Sequence, residues 1–304
     1  MILQMKRNAR LLLKGNLARG AVATLILFSV ALLFKTLEVI TQTVLELSGV
    51  SASVKSALNL PGLLGNLPIA SPVSISVTAG FLILAFAVMA PLVMGVKAWF
   101  FGLSGGDNAE LSAIFHYYSG AKLYFKSLLL LLDICLRSFF WLYVLILPGA
   151  LLSATGGALL TAKLNVPNGR LLGTLSVAVG VLLAVLGLVF ALVIITRYFL
   201  APYLFAQNAQ LRVRQAVKTS VRYMHGSAGR LVLLLLSFML WALASLLVLP
   251  ALYAFPYAES TLAIFARFTI ERGRMADNDA GQPAPQPWEQ EIPAPYPQTG
   301  EEEY

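Results

Sequence analysis

Asp133 and Arg137 stand four residues apart inside an otherwise apolar run, a spacing that puts both on one face of a helix. Ionisable side chains at membrane depth serve two ends. They form a polar point on a substrate or proton path, or they neutralise one another and hold a helix in its bundle. Both readings stay open on the sequence alone. Lys35 and Glu38, three apart near the end of an earlier apolar run, read as side chains that snorkel to the interface, as do Lys97 and Arg197 near other run ends.

The remaining reactive residue types form no recognisable set. His116 and His225 are the only histidines, and neither has a second ligand one helical turn away. The segment Gly102-Leu103-Ser104-Gly105-Gly106-Asp107 lacks the Lys-Ser/Thr pair that grips a nucleotide's phosphates, and no Gly-x-Ser-x-Gly elbow occurs. Cys135 is the one cysteine, so no intrachain disulfide is possible. The residue types favour a non-enzymatic protein that requires no cofactor and no metal.

The elements that must position Asp133 and Arg137 follow from composition. Of 304 residues 58% are hydrophobic and 12% charged, with mean hydropathy +0.78, which excludes a soluble globular domain. An all-α polytopic transmembrane bundle remains. Five runs reach spanning length: Ala18 to Ile40, Val73 to Phe101, Leu123 to Leu147, Leu171 to Ile195 and Leu231 to about Ala244. A sixth, Pro250 to Ile270, carries Pro256, Glu259 and Arg267, so the alternative is five spans plus an interfacial helix.

Charge favours six. Residues 1–19 and 197–230 hold basic groups with no acidic one, which places both in the cytoplasm, with 41–72 and 148–170 as outer loops. A sixth span then keeps Arg267, Arg272 and Arg274 inside, after a tight outer turn near Ser245 to Pro250. Both termini are expected in the cytoplasm. Gly15, Gly120 and Gly226 each precede a spanning run at spacings of 105 and 106 residues, the pattern of a threefold repeat of short helix plus hairpin.

Two short cytoplasmic segments have amphipathic character. Asp107 and Glu110 suggest a capping box ahead of Leu111, Ile114, Phe115 and Tyr118 at helical spacing. In 211–224, Arg212, Arg214, Lys218 and Arg222 partly oppose an apolar set, which reads as a basic linker or as a surface for anionic lipid headgroups. Nucleic acid is not expected, because the basic residues fall between apolar runs.

Gly173, Ser176, Gly180, Ala184, Gly187 and Ala191 recur every three or four residues, so one face of the fourth span is lined with small side chains. That face packs closely against another helix of the bundle or against a second copy, and the oligomeric state stays open. Residues 1–274 form the membrane domain. Residues 275–304 are Pro- and Glu-rich, with seven acidic and no basic side chain between 277 and 304, and read as a disordered acidic tail able to dock a protein partner.

A series of short fragments adds a resemblance. Leu13-Lys14-Gly15-Asn16, Pro91 with Gly95, Phe115, Phe125-Lys126-Ser127 and Leu147-Pro148-Gly149 come first. Tyr198, Ala201-Pro202-Tyr203, Ala216, Ser220, Met224-His225-Gly226, Leu236-Ser237-Phe238, Trp241 and Pro256-Tyr257 follow. In that order they resemble a family of bacterial membrane proteins known as domain of unknown function nine-seven-five, over roughly residues 1–272. The resemblance implies a six-helix protein of the bacterial cytoplasmic membrane and no assigned activity. It is distantly similar to the membrane domain attached to some glycerophosphodiester phosphodiesterases, which points to lipid. The sequence thus supports a lipid-interacting membrane scaffold or accessory protein, with a small transporter or transporter subunit built on Asp133 and Arg137 as the alternative.

Overall fold

The computed structural model describes residues 2–48, 72–107, 110–161, 168–245 and 247–281, and among these the chain is all-helical. In chain order the helices are α1 (Ile2–Leu13), α2 (Leu17–Leu47), α3 (Pro72–Ser104), α4 (Ala121–Thr161), α5 (Gly169–Ile195), α6 (Ala201–Gln207), α7 (Val213–Tyr223), α8 (Ala228–Leu236), α9 (Met239–Ala244) and α10 (Val248–Gly281). Among the described residues four stretches are long and apolar enough to cross a membrane: Leu17–Leu47, Val73–Ser104, Ala121–Thr161 and Gly169–Gln207. Many of their large apolar side chains are exposed, among them Leu32, Ile83, Phe139 and Phe190, as suits helices whose solvent is hydrocarbon.

Two departures from the sequence reading have physical causes. First, 148–170 is not a loop from its start, because α4 runs on through Pro148 to Thr161. Proline is tolerated in membrane helices, and Gly149 lets α4 approach α5 so closely that a Cβ there would lie 2.3 Å from the Ala184 nitrogen. Second, Leu111–Tyr118 is a 3-10 helix with Glu110 as its N-cap, so Glu110 stands before the helix and not at the third position of one capped by Asp107. It is wedged against α3 at Gly95, where a Cβ would meet the Ile114 carbonyl oxygen at 1.7 Å. The last helix, α10, ends at Gly281. The rest of the acidic tail, 282–304, lies outside the described residues.

The core gathers where α1, α2, α3, α6, α8 and α10 meet, around Phe100, Leu200, Tyr203, Leu231, Tyr257 and Phe265. Arg267 of α10 ties this end together. Its Nη2 donates to the Phe101 carbonyl at 2.9 Å and its Nε to Ser104 Oγ at 3.3 Å, so a cation occupies the negative end of α3. The α8 helix breaks at Ser237 and Phe238, and Lys6 of α1 donates to the Ser237 carbonyl at 3.1 Å with its ammonium 4.4 Å from the Phe238 ring.

Each of the three glycines follows a short helix, but only Gly15 and Gly120 precede a long one; Gly226 precedes α8, nine residues that end at the break before α9. Only Gly226 sits at positive φ, +74°, a backbone state that L side chains rarely adopt. Gly15 and Gly120 do not, and a Cβ at either would touch nothing.

Candidate functional site

A charged pair lies at the centre of the core. Lys97 of α3 donates to both oxygens of Glu259 of α10, at 3.2 and 3.3 Å, and the two side chains are 21% and 12% exposed. The Lys97 ammonium also lies 5.5 Å from the ring of Tyr203 on α6. Lys97 therefore does not snorkel to the helix end. Elsewhere on α10 the hydroxyls of Tyr257 and Ser260 are buried without a hydrogen-bond partner among the described residues, and a buried unmade hydrogen bond costs roughly 1–3 kcal/mol.

Sequence reasoning passed over this cluster. Glu259 was visible as an acid in an apolar run, but nothing local to it points to a partner 162 residues away. Glu38 likewise does more than snorkel. It accepts from Lys35 at 3.0 Å and from Thr78 Oγ1 of α3 at 3.0 Å, while Gln42 donates to Thr78 at 2.8 Å. Glu38 thus clamps α2 to α3.

Asp133 and Arg137 do meet. Arg137 Nε donates to Asp133 Oδ2 at 2.8 Å, with side chains 44% and 29% exposed for Arg137 and Asp133. The pair lies on the flank of α4, and each charge answers the other.

The small-residue face of α5 turns to α4. Gly173, Gly180, Gly187 and Ala191 are buried, and Ser176 and Ala184 are half-buried. A Cβ at Gly187 would lie 2.1 Å from the Leu145 carbonyl oxygen, one at Gly180 2.4 Å from Ser153 Oγ, and one at Gly156 2.8 Å from Ser176 Cβ. The stripe is the seam of a two-helix hairpin.

The strongest separation of chemistry is on α7. Ala216, Val217 and Ser220 are buried, and Arg212, Arg214, Lys218 and Arg222 are exposed. Ser220 fixes the helix in place: its hydroxyl donates to the Arg197 carbonyl at 2.7 Å and accepts from the Leu200 amide at 3.1 Å, satisfying backbone groups freed where α5 gives way to a 3-10 turn at Thr196–Tyr198. Arg222 pairs with Asp277 of α10, and Tyr223 donates to the same carboxylate at 2.9 Å. Burial and that hydrogen bond raise the Tyr223 pKa.

Among the described residues no group of three or more His, Cys, Asp or Glu side chains is arranged to hold a metal ion.

The family model described as protein of unknown function (DUF975) matches residues 2–272, and the chain belongs to that family. No curated protein and no solved structure matches it.

Proposed function

Starting from that membership, we propose that this chain is a six-pass, non-enzymatic protein of a bacterial cytoplasmic membrane, one face of which binds anionic lipid headgroups through α7. The observation that carries the reading is the division of α7. Its apolar side is committed to the core, so its cationic side has nowhere to go but outward, as in helices that lie on charged membrane surfaces.

The six-pass count is supported by what meets at the two ends of the third hairpin. Residues 228–244 offer seventeen positions across α8 and α9, at the short end of the roughly 17–25 that spanning requires. Arg272 hydrogen-bonds Ser227, and Arg274 donates to Gln207 at 2.6 Å. The end of α10 therefore returns to the segment from which α8 departs, as an even number of crossings demands. Arg19 lies beside Leu103 and Asp107 around one polar hollow, so the first basic cluster shares an end with the α3 terminus. A single basic face follows, which the positive-inside rule assigns to the cytoplasm.

Asp133 and Arg137 support structure more than transport, since each already satisfies the other at 2.8 Å.

The test is lipid retention. The full chain is reconstituted in nanodiscs of mixed phosphatidylcholine and phosphatidylglycerol, and retained lipid is counted by native mass spectrometry. Retention is expected to favour phosphatidylglycerol and to fall with salt. Replacing Arg212, Arg214 and Lys218 by Gln should remove about 1 kcal/mol of attraction each, a combined loss of the order of a hundredfold. Equal phosphatidylglycerol retention by the triple variant and the parent would overturn the reading.

A further inference from the structure

The last helix leaves the fold beside the cationic face of α7. Arg222 pairs with Asp277 of α10, and Tyr223 donates to the same carboxylate at 2.9 Å. One turn before that acid the helices touch: a Cβ at Gly273 would lie 2.4 Å from Cγ of the Tyr223 ring. Four residues beyond Asp277, at Gly281, α10 ends. An acid of the C-terminal segment thus already answers one of the four α7 cations.

Three are left. Arg212, Arg214 and Lys218 are exposed, and none of them is in an ion pair among the described residues. Past Gly281 the sequence supplies Glu289, Glu291, Glu301, Glu302 and Glu303 and neither Lys nor Arg. Length permits a meeting. Glu289 stands eight residues past the helix end with Pro283, Pro285 and Pro287 between, and at about 3 Å per residue that reaches roughly 25 Å. From Arg222 back to Arg212 is roughly 15 Å along α7. The second acidic group follows on enough further chain to double back.

Two arguments favour this occupant over a free partner of the same charge. An anionic leaflet repels the segment, while the cations of α7 stand at its root. A tethered segment also meets its site at an effective concentration near millimolar, whereas a free protein meets it only at its own, lower concentration. We propose that the acidic segment 289–303 folds back onto Arg212, Arg214 and Lys218 and holds the α7 face in competition with anionic lipid headgroups. The segment then acts as a charge gauge: α7 takes lipid only where the anionic fraction of the leaflet outweighs the tethered carboxylates. What is displaced rests on the headgroup reading of α7; the docking itself does not.

The test uses the full chain, one copy per nanodisc, in pure phosphatidylcholine and in phosphatidylglycerol-rich bilayers. A carbodiimide joins a lysine to a glutamate only where the two touch, and the crosslinks are mapped by mass spectrometry. In phosphatidylcholine, crosslinks from Lys218 to the glutamates of 289–303 are expected severalfold more often than crosslinks to them from Lys14, which is also exposed. Phosphatidylglycerol should cut the Lys218 crosslinks severalfold. Arg212→Glu combined with Arg214→Glu should do the same in phosphatidylcholine, where no lipid charge is involved. Replacing all five glutamates by Gln should raise phosphatidylglycerol retention severalfold at low salt and change it little at high salt.

Lys218 crosslinks no more frequent than those of Lys14 would overturn the proposal without reliance on any variant, the result if the segment serves another protein. So would Lys218 crosslinks indifferent to the two charge reversals. In a chain whose α7 prefers phosphatidylglycerol, crosslinks undiminished by that lipid, or retention unchanged in the glutamine variant, would overturn it as well. The two readings fail separately. A chain with no phosphatidylglycerol preference that keeps the Lys218 pattern in phosphatidylcholine loses the headgroup site and retains the fold-back, and a chain with the preference but without the pattern does the reverse.

Discussion

Lys97 and Glu259 stand 162 residues apart in the chain and 3.2 Å apart in the fold, joining α3 to α10 inside the core. Removing one member leaves an uncompensated charge in a low-dielectric setting, whereas removing both leaves none. Glu259→Gln alone should therefore cost about 3–5 kcal/mol, and the double change Lys97→Met with Glu259→Leu much less. Reversible unfolding in mixed micelles across this double-mutant cycle checks it. A double variant as unstable as the sum of the singles would show that the two side chains do not act on one another.

The α4–α5 seam makes a sharper steric prediction. At Gly187 a Cβ would collide with the Leu145 backbone carbonyl, which no rotamer change relieves, while a Cβ at Gly157 on the same hairpin meets nothing. Gly187→Ala should destabilise by about 1–3 kcal/mol. Gly157→Ala should be neutral or stabilise by up to about 1 kcal/mol through helix propensity. The same micelle unfolding assay separates them, and equal effects would dissolve the seam.

Of the three glycines spaced along the sequence, only Gly226 needs to be glycine on backbone grounds. Its φ of +74° predicts a cost of roughly 1–2 kcal/mol for Gly226→Ala, with Gly15→Ala and Gly120→Ala within about half a kcal/mol of the parent. Thermal inactivation of the three purified variants gives the ranking. A Gly120→Ala variant as damaged as Gly226→Ala would mean that the glycines share a role the turn geometry does not supply.

Tyr117 sets an alkaline limit. It lies on the 3-10 helix between α3 and α4, stacked near Phe205 with ring centroids 6.1 Å apart, and burial pushes its hydroxyl up to about 12. The folded state holds the phenol proton more tightly than the unfolded chain, where the value is about 10. The associated stability is thus complete below about pH 10 and is lost as pH rises towards about 12, by up to roughly 2–3 kcal/mol. Tyr117→Phe should flatten that decline with little effect at pH 7. Unfolding midpoints measured from pH 8 to 12 test the slope.

What the sequence disclosed and what it hid divide along physical lines. Long apolar runs announce spans because hydrocarbon thickness is a fixed length, and Asp133 with Arg137 announce a pair because helical spacing is fixed. No comparable rule links Lys97 to Glu259, or Glu38 to Thr78, since those contacts exist only after helices far apart in sequence are packed. Pro148-Gly149 misled for a related reason: it breaks helices in water, but a neighbouring helix can supply what it lacks in a membrane. The basic residues of α7 were legible as a set. Their exposure required knowing that Ser220 would be drawn to the backbone break after α5.

The count of crossings is the premise on which the α7 reading depends, and one residue reports it. Met275 is exposed on α10, one residue past Arg274, whose guanidinium reaches Gln207 at the end of α6. If six helices cross, that end of α10 is cytoplasmic together with α7. Met275→Cys, placed in a Cys135→Ala background, should then resist a membrane-impermeant thiol reagent on intact cells and react fully once the membrane is opened. Labelling of intact cells would put Arg267, Arg272 and Arg274 outside with Met275. The contacts of Arg272 with Ser227 and of Arg274 with Gln207 would then carry the α7 cations outside with them, away from the anionic leaflet. That one outcome would remove both the even topology and the headgroup site, whereas protection until lysis keeps both.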